Sequence, residues 1–227
     1  MSIRVYLWKI YRRDRTWDKG TVAITFMIAL PILLTIIAIF VQYALIVNAQ
    51  LVVDRAVQSA ARTAVTALPT NPDVDNVDGP ALIRRSALLA LSPISPLAKD
   101  DASPDGAALA NAWQTLGASE SNDSGLAKRY TYAAAGATVT WQRLDDSGSP
   151  IAGDDWQPTD YAHSRGQRIR ITVTYPFLLT VPAVNRLIGA NAQIAGVSGR
   201  VLTLSATTDV QLSHGREAQT DTNGWPQ

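Results

Sequence analysis

From Thr21 to Val53 the chain carries no charged side chain, and from Val22 to Val47 it is dominated by Ile, Leu, Val, Ala and Phe. A helix needs roughly 20 residues to cross a hydrocarbon core about 30 Å thick, at about 1.5 Å per residue. This run is long enough to span. Past Asn48 the pattern turns amphipathic without a breaker. Ala49, Val53, Ala56, Val57, Ala60, Ala64 and Val65 recur at three- and four-residue steps, and Asp54, Arg55, Gln58, Ser59, Arg62 and Thr63 fill the other face. The pattern predicts one continuous helix from near Gly20 to about Leu68, stopped by Pro69 and Thr70-Asn71-Pro72. Its stripe is built of small residues, which permit close approach to the chain's own sheet or to sister helices.

Two shorter helices are predicted next. Asp78-Gly79-Pro80 opens one over Ala81–Leu91, with Leu82, Ile83, Ala87 and Leu91 as its apolar contacts and Pro93 and Pro96 as its stop. Asp105–Leu116 forms the other, with Leu109, Ala112, Trp113 and Leu116 on one side. Lys99–Pro104 and Ser119–Gly125 read as exposed loops. The period then changes to two. Ala137–Leu144, Arg168–Tyr175 and Val201–Leu212 each alternate, with β-branched residues throughout. Between the last two, Pro176 to Gly189 reads as a connection holding a short helix after Pro182.

Three strands with one apolar face each predict an antiparallel sheet. Helices first and strands afterwards give an α+β class, with the long helix packed on the sheet. The divisions are a leader over 1–20, the long helix over 21–68, an α+β domain over 69–215 and a polar tail over 216–227.

Charge placement adds an orientation. Arg4, Lys9, Arg12, Arg13, Arg15 and Lys19 crowd the leader against only Asp14 and Asp18, and the remainder is slightly acidic. The positive-inside rule then keeps residues 1–20 in the cytoplasm and sends the domain across the membrane. There is no cysteine, which removes disulfides, zinc thiolates and a cysteine nucleophile.

Three fates are open to the apolar run. Val47-Asn48-Ala49 resembles a signal-peptidase site, but a secretory signal has an apolar region of only about 7–15 residues. A permanent anchor fits the hydropathy. The third is a prepilin-type site, cut after a glycine between a basic leader and an apolar helix. Gly20, Thr21-Val22-Ala23-Ile24, Phe26 and Pro31, with Ala60-Ala61-Arg62-Thr63-Ala64 downstream, resemble the N-terminal signature of the TadE-like minor pseudopilins of the tight-adherence (Tad) pilus system. The α+β outline, a protruding helix carrying a small sheet domain, is similar to pilin-type folds.

The resemblance implies a bacterial inner-membrane protein and a structural role in a Tad-type pilus or secretion apparatus. It also implies contacts with other pilin-like subunits, apparatus proteins and a prepilin peptidase acting between Gly20 and Thr21. The family has Glu at the fifth position after the cut, where this chain has Thr25. In pilins that carboxylate can pair with a neighbour's freed α-amino group, where an unpaired charge is expensive. Threonine cannot neutralise that charge, but its hydroxyl can bond back to a helical carbonyl. Thr25, Phe26 and Pro31 are the candidate membrane-helix packing residues.

No enzyme motif competes. His163 and His214 lie in no nucleophile elbow or zinc-ligand pair, and Asp145-Asp146 and Asp154-Asp155 are adjacent loop carboxylates that point apart on an extended backbone. Asp73–Gly79 fails the calcium-loop spacing, with Asp78 at the sixth position and Arg84 at the twelfth. Gly189, Gly196 and Gly199 lack dinucleotide-binding spacing. Arg165, Arg168, Arg170 and Arg200 form a basic patch only if their strands bring them together, and dispersed charge elsewhere leaves no nucleic-acid footprint. The expectation is therefore no catalytic residue, no metal and no cofactor. The rival reading from another class is a membrane-anchored extracytoplasmic binding or sensor domain, with its ligand site on the sheet face and loops.

Overall fold

A computed structural model describes residues 3–68, 78–116, 125–151, 166–181, 185 and 188–212, with side chains from Ala23 onward. The fold is α+β: a long apolar N-terminal helix, short helices, and a four-stranded antiparallel sheet. Helix α1 runs unbroken from Ile3 to Ala67, 65 residues, or about 98 Å at 1.5 Å per residue. It starts well before Gly20, where the sequence places its beginning. The leader contains neither Pro nor any Gly before Gly20, and a single glycine costs a helix only about 1 kcal/mol. Pro31 also lies inside α1, and Thr35 Oγ1 donates to the Pro31 carbonyl at 2.7 Å.

Helix α2 (Gly79–Leu91) begins as predicted. The Asp78 side chain accepts from Ala81 N–H at 3.1 Å, and Pro80 sits in the first turn. Its core contacts are Ile83, Ala87, Leu88 and Leu91, whereas Leu82 is exposed. A single 3-10 turn, Ser92–Ile94, follows. Helix α3 (Pro104–Thr115) is capped by the Ser103 hydroxyl, which accepts from Gly106 N–H at 3.2 Å.

Of the predicted apolar side of α3, Leu109 packs half-buried against the core, but the rest does not face it. Gly106 and Ala110 are its buried residues, while Trp113 and Leu116 are exposed. The cause is close packing on α4 (Gly125–Gly136), a helix whose residues after Gly125 the sequence pattern leaves unassigned. A Cβ on Gly106 would lie 3.0 Å from the Ala127 carbonyl oxygen. Contact distance between backbones, not side-chain size, selects the buried face here.

The strands are β1 (Thr138–Leu144), β2 (Arg168–Leu178), β3 (Ala190–Ile194) and β4 (Val197–Gln211), in the order β1-β2-β4-β3. Strand β2 shows the alternation most cleanly: Ile169, Ile171, Val173 and Tyr175 are fully buried, with Arg or Thr between them. It runs on through Pro176 to Leu178, beyond its expected end. Strand β1 ends its pairing at Thr138 opposite Thr174, so Pro176 has a ladder partner only on β4, at Thr203. A proline is tolerated where one side of the strand is unpaired.

Strand β3 is the addition to the predicted three. It forms a two-residue hairpin with β4 through Ala195 (φ 46°) and Gly196 (φ 74°). Positive φ at both central residues matches the twist of a tight hairpin. The Ala195 carbonyl is held by Lys99 N–H at 3.0 Å and Asp100 N–H at 3.4 Å.

One core joins these layers. Ala49, Val53, Ala56, Ala60 and Ala64 of α1 pack with α2 and with the buried face of β2 and β4, so the small-residue stripe docks on the chain's own domain. At the centre, Tyr175 lies edge-on to Tyr132, with ring centroids 6.5 Å apart, and its hydroxyl is 2.9 Å from Ser95 Oγ. Burial pushes the phenols of Tyr130, Tyr132 and Tyr175 above the usual tyrosine range, because an ionised ring here would lose its hydration.

Candidate functional site

The docked stripe begins late. Between Ala23 and Val41 no residue of α1 is buried, and Ile24, Phe26, Met27, Ile28, Ile32, Leu33 and Phe40 are among the most exposed side chains. Within Ala23–Ala67 an 18-residue window has mean hydropathy 2.8 and none of it is buried. By length and composition the helix can cross a membrane. In water each exposed Ile, Leu or Phe forgoes about 1.5–3 kcal/mol of burial, and an apolar surface this continuous marks a membrane or partner contact.

The predicted packing residues Phe26 and Pro31 lie on this surface together with Thr25, and Phe26 is 62% exposed. Gly20 and Thr21, the candidate processing pair, lie within the helical backbone of α1. The helix turns its polar bonding inward at Thr35, whose hydroxyl satisfies a main-chain carbonyl.

The first α1 side chain covered by the domain is Gln42, 1% exposed. Its Oε1 accepts from Val181 N–H at 3.0 Å, while its Nε2 is buried with no hydrogen-bond partner among the described residues. Two turns on, Gln50 Nε2 donates to the Ser205 carbonyl at 3.1 Å. These amides tie the end of the apolar run to the sheet. Sequence reasoning passed over Gln42, although a lone amide inside an otherwise apolar run is itself a signal, since it must find a partner.

The arginines on the strands do not gather. Arg168 pairs with Gln211 at one end of the sheet, while Arg200 lies beyond the Leu178–Val201 pair at the other. Arg170 is committed to Asp209 by two bonds of 2.7 and 2.8 Å, and this fork holds the Asp209 carboxyl below the usual carboxylate range. Arg165 lies outside the described residues.

Asp145 serves a turn. Its Oδ1 accepts from Ser147 Oγ at 2.6 Å and Ser149 N–H at 2.8 Å, bonds that depress its pKa. No group of three or more His, Asp or Glu that could hold a metal occurs among the described residues. His163, His214, Asp154-Asp155, most of the Asp73–Gly79 loop, the short helix predicted after Pro182 apart from Asn185 and its end at Ile188-Gly189, and the tail lie outside them.

No curated protein and no solved structure matches the chain. The family model described as TadE-like protein matches residues 20–62, from the candidate processing glycine through the exposed apolar surface to Arg62 on the docked half of α1, so that this helix is similar to that of the TadE-like proteins.

Proposed function

We propose that the chain is a membrane-anchored structural component of a Tad-type pilus or secretion apparatus. The observation that carries this reading is the coincidence of the family match with the uncovered apolar surface of α1: residues 20–62 against 23–41. TadE-like pilus proteins are structural components, and that surface is built for packing rather than chemistry. The basic leader faces the cytoplasm and the α+β domain the periplasm or exterior, by the positive-inside rule. A prepilin peptidase cuts between Gly20 and Thr21, making the mature chain a minor pseudopilin. Thr25, Phe26 and Pro31 meet other pilin-like helices at lipid depth.

An anchored sensor would need only hydrophobicity from the same segment. Replacing residues 23–41 by an unrelated apolar sequence of equal length, in a host deleted for the chain, separates the two. Wild type is expected to restore surface pili and the swapped chain to remain anchored without restoring them. Full piliation with the swapped chain overturns the proposal.

A further inference from the structure

We propose that the end of the domain formed by Thr180, Val181, Asn185 and Ile188 rests in the headgroup layer of the bilayer that α1 crosses, as a second membrane contact. The inference depends on α1 spanning, and three observations place the plane. From Thr21, where the uncharged run begins, to Gln42 there are 21 residue steps, or about 32 Å of helix, against a hydrocarbon core of about 30 Å. The domain begins to cover α1 at Gln42 itself, so no spacer separates the two. Tyr43, 66% exposed, stands where amphipathic rings collect, at the headgroups.

A relay of short bonds carries this level into the domain. Val181 N–H donates to Gln42 Oε1 at 3.0 Å, Asn185 N–H to the Val181 carbonyl at 3.2 Å, and Arg200 Nη1 to the Asn185 carbonyl at 3.3 Å. Direction is fixed as well. Gln50 meets Ser205, which pairs with Thr174, and Gln42 meets Val181, so the chain from Thr174 to Val181 descends as α1 descends.

At that end Thr180 and Ile188 are exposed. Beside them lies a shallow hollow of about 610 Å³ lined by Asn185, Asn191, Gln193, Ser198 and Arg200. Amides, a hydroxyl and a guanidinium next to exposed aliphatics suit a layer that is apolar below and rich in acceptors above.

The chain has no cysteine, so single labels can be placed cleanly. Full-length Thr180→Cys, Ser147→Cys and Leu33→Cys, each carrying an environment-sensitive fluorophore, are reconstituted in phosphatidylcholine vesicles with nitroxide on the headgroup or on the acyl chain. The headgroup nitroxide is expected to quench position 180 several-fold more than position 147, which lies in the turn at the opposite end of the sheet. The acyl nitroxide should quench position 33. Equal quenching at 180 and 147, with position 33 quenched, overturns the second contact alone. No acyl quenching at 33 overturns the spanning reading and this inference with it.

Discussion

Tyr175→Ala is expected to cost the domain about 3–5 kcal/mol, the range for emptying a large aromatic site in a core. The ring is fully buried on β2, packs edge-on against Tyr132 of α4, and joins Ser95 after α2 through its hydroxyl. It therefore links three elements. Tyr175→Phe separates the contributions: it keeps the packing and loses one hydrogen bond, for about 0.5–1.5 kcal/mol. Ser95 Oγ retains the Leu91 carbonyl at 3.0 Å, so it is not stranded. Urea unfolding of the full chain in detergent, followed by near-ultraviolet circular dichroism, reads both. A Tyr175→Ala midpoint equal to that of wild type would contradict this picture of the core.

The second large effect lies in the apolar helix, and magnitude decides its form. On the insertion scale Leu, Ile, Phe and Val contribute about 0.3–0.6 kcal/mol each, so those between Ala23 and Gln42 sum to on the order of 4–7 kcal/mol. One central Arg costs about 2.5–3.5 kcal/mol. Leu33→Arg alone therefore leaves the segment inserted. Leu33→Arg with Ile37→Arg, one turn apart on exposed positions, exceeds or cancels what remains. The single variant is expected to resist extraction from membranes by alkaline carbonate and the double variant to be released. A double variant that stays membrane-integral would contradict the placement of lipid depth at 23–42. The docked half of α1 touches neither site, so the domain should fold in both.

The elements legible in the sequence are those whose pattern is also their mechanism. The uncharged run before Asp54 is too long for a secretory signal and long enough to span, and the alternation of Ile169, Ile171, Val173 and Tyr175 marks a half-buried strand. What escaped depends on tertiary context. Helix α4 carries Tyr130, Thr131 and Tyr132, residues that favour strands, yet Ala127 and Ala133 let it pack closely. Strand β3 reads Ala-Asn-Ala-Gln-Ile, with little strand preference, and is drawn into the sheet by a two-residue turn pinned to Lys99 and Asp100. The role of Gln42 required the position of Val181, 139 residues away. The exposed packing surface was legible because hydropathy is additive along a helix; its height relative to the domain was not.

The most direct test of a pilin-like helix in this chain is the mature N-terminus, determined by mass spectrometry of protein from the native host with Gly20→Ala alongside. The account predicts a wild-type chain beginning at Thr21 and a Gly20→Ala chain that keeps its leader. A wild-type chain that retains Trp8 and Trp17 would contradict it.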